Sequence, residues 1–289
     1  MILSRLSLSL AFLLAFAPAA LADSVFYDNI PGSLPPNLPS EAYAAKSSGE
    51  FGGLIQFAGG SSSYTPGSAT VAMSDWSLAS DWTSAINGTT ITSSGFYVPL
   101  TLNLYNVGTN YTVGALIASV TVDAFIPWRP EASAGCGTGW LATNGNCYNG
   151  SLSTVTFSLA GVTLPSEFIY GLAFNTTDSG ANPTHVAGPY DSLNFALSTT
   201  SPTVGSEPLP DTAYWETSYA GFYADGGASG VGTFRQDTNW SPYSGAIEFS
   251  TASETPEPSS LLLLGSGLLA CAGVFFRQSR HSKTNSTTR

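Results

Sequence analysis

The chain has 289 residues, of which 9% are charged, and its formal net charge is −11. Residues 23–255 are more acidic still: three bases against eighteen acids give a formal charge of −15. Phosphate binding needs clustered Lys and Arg, so this composition argues against a nucleic acid partner. The acidity is typical of the surface of a soluble protein, where like charges make the molecules repel one another.

The first 22 residues have the pattern of a secretory signal peptide. Arg5 supplies the positive n-region, residues 6–16 the apolar core, and Ala20 and Ala22 the small residues of an A-x-A cleavage site. The apolar run is too short to span a bilayer, which disfavours an uncleaved anchor. We therefore predict export, with cleavage after Ala22 and a mature chain that begins at Asp23.

Residues 23–255 have the length of one large β-domain and are rich in Ser, Thr, Gly, Asn and aromatic residues. Several segments alternate apolar and polar side chains with period two, as half-buried strands do. In "PLTLNLYNV" the residues Leu100, Leu102 and Leu104 share one face of such a strand. In "STVTFSLAGV" the inward set is Val155, Phe157 and Leu159.

The segments "ALIASVTVDAF", "EFIYGLAF" and "SLNFALS" follow the same pattern, and no segment shows a sustained period of 3.6 residues. Internal repeats are also missing, which disfavours a propeller or a solenoid. The sequence thus predicts an all-β fold. Its expected architecture is a two-sheet, jelly-roll-like β-sandwich that forms one extracytoplasmic domain over residues 23–255.

Cys136 and Cys147 lie in "GCGTGWLATNGNCYNG", within the exported region. An oxidising compartment favours a disulfide, which would staple a loop too rich in Gly and Asn to order itself by core packing. The alternative is a metal site. Two thiols need further ligands, however, and His185 is the one imidazole between residues 23 and 255. The sequence predicts the disulfide, with no metal and no cofactor.

The segment 224–245, "ADGGASGVGTFRQDTNWSPYSG", is the most plausible exposed ligand surface in the sequence. Its glycines precede a short stretch in which charged, amide and aromatic side chains come close together, a mixture suited to sugar rings and their hydroxyl groups. The candidate ligand residues are Arg235, Asp237, Asn239, Trp240 and Tyr243.

The C-terminal region contains an apolar run over residues 261–276 that, with Ser259 and Ser260, predicts a transmembrane helix over 259–276. This run of sixteen residues, apolar except for Ser266, corresponds to about 24 Å of helix, the lower limit for a membrane span. Residues 281–289 form a basic tail, which the positive-inside rule places in the cytoplasm. Just before the helix, the triplet 256–258 reads Pro-Glu-Pro, a stiff and extended segment.

The segment "PEPSSLLLLGSGLLACAGVFFR" resembles the PEP-CTERM sorting signal, in which a Pro-Glu-Pro motif, a Leu- and Gly-rich helix and a basic cluster follow one another. The resemblance implies that an exosortase recognises the triplet and removes the tail. It also implies a Gram-negative bacterium, in which the protein is anchored transiently in the inner membrane and is then released to the cell surface or the medium. The alternative is a permanent type I anchor. The sorting residues by this resemblance are Pro256, Glu257, Pro258 and Arg277, within a signal that spans residues 256–280.

The mature region weakly resembles secreted β-rich proteins with varied surface anchors, through "VFYDNIP", "GPYDSLN" and "GTFRQDTNWSPY". That resemblance implies no activity. None of the common nucleophile, zinc, P-loop or dinucleotide motifs occurs in residues 23–255. The prediction is therefore a noncatalytic surface or matrix protein that contacts exosortase and extracellular polysaccharide. A carbohydrate-binding module and a two-carboxylate hydrolase stay open, because the separation of an acid pair depends on the fold.

Overall fold

The computed structural model describes residues 24–82, 86, 89–217 and 234–251. The predicted signal peptide, with Ala20 and Ala22, lies outside these residues, as do the transmembrane helix 259–276 and the tail 281–289. The same holds for the predicted sorting residues Pro256, Glu257, Pro258 and Arg277. Within the described ranges, no helix combines the length and apolar character that a membrane span requires.

The prediction of an all-β fold is confirmed, because strands hold 49% of the described residues and helices 7%. In chain order, the described strands and the single-turn helix α1 are β1 (Val25–Asp28), β2 (Ser40–Glu41), α1 (Tyr43–Lys46), β3 (Ser48–Gln56), β4 (Ser63–Tyr64), β5 (Ser68–Asp75), β6 (Gly95–Val107), β7 (Val113–Pro127), β8 (Trp140–Leu141), β9 (Cys147–Tyr148), β10 (Ser151–Ser158), β11 (Leu164–Pro165), β12 (Glu167–Ala173), β13 (Leu193–Ser198), β14 (Thr212–Thr217), β15 (Arg235–Thr238), β16 (Ser244–Gly245) and β17 (Ile247–Ser250). Short 3₁₀ turns occupy Ala79–Asp81, Thr109–Tyr111 and Pro189–Ser192.

A seven-stranded antiparallel sheet is organised around β5, in the order β1-β17-β5-β13-β16 with β10 and β2 attached. Strand β10 pairs with β5 along its whole length, from Ser68 to Asp75. The other edge of β5 is shared, since β17 pairs with its first half and β13 with its last three residues. Strand β5 is therefore enclosed on both edges, and its residues are almost all buried.

A six-stranded antiparallel sheet has the order β15-β14-β3-β12-β6-β7. Its longest strands, β6 and β7, pair with each other and continue the sheet beyond β12. In β3 the aromatic side chain of Phe51 points to the main core, whereas Leu54 belongs to a separate buried cluster with Ile169 and Tyr214. The sheet thus has apolar side chains on both faces, and its two faces have different surroundings.

The two large sheets face each other across one apolar core. The ring of Phe168 in β12 lies 5.3 Å from that of Phe249 in β17, and Phe51 in β3 lies 6.2 Å from Phe195 in β13. The inward sets predicted from period two are confirmed, because both belong to this core and are buried. They are Leu100, Leu102 and Leu104 in β6, and Val155, Phe157 and Leu159 in and after β10.

The predicted disulfide is confirmed: Cys136 and Cys147 are bonded, with their Cα atoms 5.5 Å apart. The loop between them carries the two-residue strand β8, which pairs with β9, the strand that begins at Cys147. Arg129 fixes the start of this region, since its buried guanidinium donates to the carbonyl oxygens of Trp76, Pro130 and Thr138. One disulfide and one buried cation therefore order a loop that has little apolar packing of its own.

Candidate functional site

The predicted ligand surface over residues 235–243 lies at the edge strand β15 and in the turn that follows it. The guanidinium of Arg235 lies 3.5 Å from the Asp237 carboxylate, whose second oxygen accepts a hydrogen bond from the Trp240 indole at 3.1 Å. The fold therefore brings three of the five predicted residues together. Asn239 and Tyr243 lie in the exposed turn, where Asn239 has a φ of 70° and Tyr243 is 42% exposed.

The Trp240 ring is turned toward the interior of the domain. Its centroid lies 5.0 Å from the ring of Phe51 and 6.2 Å from that of Trp215. An indole held between two core aromatics offers an edge to a ligand, not an open face. The exposed part of this predicted surface is therefore Asn239 and Tyr243, backed by the Arg235–Asp237 ion pair.

The six tryptophans of the chain all lie in described residues, and they differ sharply in exposure. Trp215 is buried, and Trp82, Trp128, Trp140 and Trp240 are half-buried. Trp76 is the exception, with 43% of its surface exposed. Among the tryptophans it is the most exposed to solvent.

A second polar feature, which the sequence did not indicate, lies on the face of the six-stranded sheet that is turned away from the main core. Glu50 in β3 is only 5% exposed there. Asn103 Nδ2 donates to Glu50 Oε2 at 3.0 Å, and the Tyr105 hydroxyl donates to both carboxylate oxygens, at 3.0 and 3.2 Å. Glu50 lies in β3 and the other two residues in β6, with β12 between them, so the Glu50 side chain reaches across β12 to make these contacts.

Gly171 makes room for the Glu50 side chain. A Cβ atom at position 171 would lie 2.0 Å from Glu50 Oε1, far closer than any van der Waals contact. Gly52 lies directly opposite in β3, and Asn103 opposite on the other side, in β6. Two facing glycines therefore leave a depression in the sheet, and the Glu50 carboxyl group fills part of it.

Glu216 in β14 is the direct cross-strand neighbour of Glu50. Residues paired in this way have Cβ atoms about 4.5 to 5.5 Å apart, so the two carboxyl groups interact. Burial raises the pKa of Glu50 and the neighbouring Glu216 adds to the rise, while the bonds from Asn103 and Tyr105 oppose it, so that the pKa is about 7. Burial also raises the pKa of Glu216. Glu50 thus exchanges its proton near pH 7.

A carboxyl group that exchanges a proton near pH 7, next to a second carboxyl group, is the minimum requirement for general acid–base chemistry. In Glu50, however, both oxygens accept hydrogen bonds from the protein, and the side chain is almost inaccessible. A buried carboxyl group with a purely structural role would need the same hydrogen-bond partners. In the described ranges, no group of three or more His, Cys, Asp or Glu side chains is placed to hold a metal ion.

Sequence reasoning missed Glu50 and Glu216 because neither belongs to a recognisable motif. Their contact depends on the pairing of β3 with β14, which are separated by more than 150 residues. The one local signal was "SGEFGGLIQ", in which a single acid interrupts an otherwise uncharged, Gly-rich run. A charged residue in such a strand indicates a specific environment, without naming its partner.

Comparison with known proteins identifies the C-terminal region. The family model described as the PEP-CTERM protein-sorting motif matches residues 254–280. No curated protein and no solved structure matches the chain. The motif indicates an exported protein that is targeted to an exosortase and sorted to the cell surface.

Proposed function

We propose that this exported chain, targeted to an exosortase by its PEP-CTERM motif, is a noncatalytic surface or extracellular-matrix protein that binds extracellular polysaccharide. The observation that carries the proposal is the sorting motif at residues 254–280, which assigns the protein to the cell exterior. The composition of residues 23–255 supports a sugar ligand over a nucleic acid, because three bases among 233 residues cannot form a phosphate-binding surface.

The domain itself supports a binding role. We propose that the domain is a jelly-roll-like β-sandwich, as the sequence predicts, because two antiparallel sheets face each other across one core. Such a fold leaves its loops and outer sheet faces for contact with a partner. The buried state of Glu50 supports a role without catalysis, because its two oxygens are already hydrogen-bonded within the protein.

We also propose that the helix over residues 259–276 anchors the protein in the inner membrane only until the exosortase removes the tail. The proposal is tested by intact-mass measurement of the protein recovered from its own host. A C-terminus near the Pro-Glu-Pro triplet supports processing. A C-terminus at Arg289 contradicts it and favours a permanent type I anchor. A variant with Ala at residues 256–258 is the matched control and should keep the whole tail.

The polysaccharide proposal is tested by co-sedimentation of the purified protein with the host's own extracellular polysaccharide, with released reducing ends measured in the same tube. Saturable binding without release of sugar is the expected result. Failure to bind would contradict the proposal and direct attention to a protein partner. Release of sugar would contradict the noncatalytic role alone.

A secreted carbohydrate-active hydrolase is the second candidate, and the Glu50–Glu216 pair favours it. A retaining glycosidase needs two carboxyl groups about 5 to 5.5 Å apart, one of them with a raised pKa. If this candidate is right, Glu50→Gln and Glu216→Gln each abolish sugar release and leave binding in place. Glu131→Gln, which alters an exposed carboxylate, serves as the control. Release that survives both pair variants would exclude this pair as the catalytic one.

A further inference from the structure

We infer that an uncharged segment of a polysaccharide chain binds at the Trp76 surface, formed by Asn37, Trp76, Trp140 and Tyr148 around Gly150. This inference rests on the proposed function and gives it a location. The surface lies beside the disulfide-closed loop and is separate from the predicted ligand residues 235–243. Its residues come from four segments of the chain, so no local motif marks it.

Trp76 is the exposed ring of this surface, and it is held in place at three points. Its backbone N–H donates to the carbonyl oxygen of Ser192 at 3.0 Å, and its own carbonyl oxygen accepts from Arg129 Nε at 2.9 Å. The indole N–H donates to Ser74 Oγ at 3.0 Å. A ring already fixed before binding loses little conformational entropy when a ligand stacks on it.

Trp140 and Tyr148 supply the second aromatic part. They are paired across strands β8 and β9, and their ring centroids lie 6.0 Å apart. The Trp140 indole donates to the carbonyl oxygen of Gly150 at 2.8 Å. The disulfide partner Cys147 directly precedes Tyr148, so the covalent bridge limits the movement of this pair as well.

Gly150 joins the two aromatic parts. A Cβ atom at position 150 would lie 2.5 Å from Trp76 Nε1, 2.6 Å from Ser74 Oγ and 2.7 Å from Asn37 Nδ2. These three polar atoms therefore converge on the space that the missing side chain leaves. Asn37 is oriented by its own contact, since its Oδ1 accepts from Ser74 Oγ at 2.7 Å. The Asn37 amide thus lies next to an exposed indole, and the buried Ser74 hydroxyl group orients both.

The charges around the Trp76 surface decide which ligand suits it. Asp75 and Arg129 lie next to it in sequence or space, but they are 0% and 8% exposed. Arg129 is engaged by three backbone carbonyl oxygens, and Asp75 accepts from Ser77. The surface therefore offers no cation to an acidic polymer. Aromatic faces suit the C–H faces of sugar rings, and the amide suits their hydroxyl groups, so an uncharged polysaccharide is the fitting occupant.

The inference is tested with the uncharged and the acidic polysaccharide fractions of the host matrix, each titrated into the purified full-length protein by calorimetry. We expect the uncharged fraction to bind, and Trp76→Ala to weaken that binding at least tenfold. Trp76→Phe keeps a ring and should lose less. Tyr111→Ala is the matched control, because Tyr111 and Trp76 are each 43% exposed. It should bind within about twofold of the unchanged protein.

A second readout separates binding from folding. Bound polysaccharide should protect the fluorescence of the unchanged protein from acrylamide quenching. This protection should be smaller in Trp76→Phe, which keeps a ring at that position but lacks the most exposed indole. Asn37→Ala should also weaken binding. If Trp76→Ala and Asn37→Ala bind normally, or if the acidic fraction alone binds, the inference is wrong and the proposed function stands. If neither fraction binds, the proposed function and this inference fail together.

Discussion

The buried carboxyl group of Glu50 makes the stability of this domain depend on pH. Its pKa is about 7 in the folded chain, against an ordinary value of 4.5. The folded state therefore binds the proton more tightly than the unfolded state does. The stability that this group contributes is fully present below pH 4.5 and is lost as the pH rises toward and through 7. At about 1.4 kcal/mol per pKa unit, the loss between pH 5 and pH 8 is about 2.5 kcal/mol.

Glu50→Gln removes the part of this pH dependence that Glu50 contributes. The amide has nearly the shape of the protonated carboxyl group and fits the same depression beside Gly171. At pH 5 the variant and the unchanged protein should have equal free energies of unfolding, within about 0.5 kcal/mol. At pH 8 the variant should be more stable by about 2 kcal/mol, because the unchanged protein then has a buried charge. Urea unfolding at both pH values measures the difference.

Asp75 provides a parallel case and an internal check. Burial raises the pKa of this carboxyl group from 3.8 to about 7, while bonds from Ser77 and the charge of Arg129 oppose the rise. Asp75→Asn should therefore remove a second loss of similar size over the same range. Glu131→Gln, at an exposed site, should leave the pH dependence unchanged. The reasoning is refuted if the unchanged protein is equally stable at pH 5 and pH 8.

Three further outcomes follow from single contacts. Gly171→Ala should destabilise the domain by about 1 to 3 kcal/mol, because its Cβ would overlap Glu50 Oε1. Gly32→Ala is its control, since a Cβ there has no neighbour within 4 Å, and denaturant unfolding that ranks the two equally would contradict the packing argument. Replacing both disulfide cysteines with Ser should cost about 2 to 3 kcal/mol, from the entropy of the short loop they close. Reductant should produce the same loss in the unchanged protein and none in the variant. Finally, Glu257→Ala should leave the protein in its host with an uncleaved tail. SDS gels and intact-mass measurement would detect this protein as a form of higher mass. Normal processing would refute a role for this residue in recognition by the exosortase.

The sequence predicted most where a local pattern repeats. Strand β6 alternates strictly, so its inward leucines were identifiable, and the cysteine pair was identifiable from compartment and ligand count. The PEP-CTERM segment was equally readable, because three features in a fixed order make up the signal. In each of these cases, the relevant information lies within a few dozen residues of the chain.

The features that sequence did not predict depend on contacts between distant segments. Glu50 meets Glu216 only through the β3–β14 ladder, and Trp76 reaches Gly150 only because β10 pairs with β5. The orientation of Trp240 is similar, since its contact with Phe51 spans most of the domain. A tryptophan in a polar, Gly-rich stretch looks exposed in sequence, yet the large apolar area of its ring favours burial when a core aromatic is within reach.

The placement of the bases narrows the choice of polysaccharide. All three bases in residues 23–255 have anionic or carbonyl neighbours. Arg129 binds backbone carbonyl oxygens, and Arg235 lies beside Asp237. Lys46 is close enough to Glu41 to oppose the rise that burial causes in the pKa of the Glu41 carboxyl group. The remaining acids give the domain a negative field. An acidic polymer would be repelled at low ionic strength and would approach only when salt screens the charges, within about 10 Å at 0.1 M. Binding of an uncharged polymer should hardly change with salt. Binding that falls steeply as salt is added would require a cationic surface and would contradict this account of the ligand.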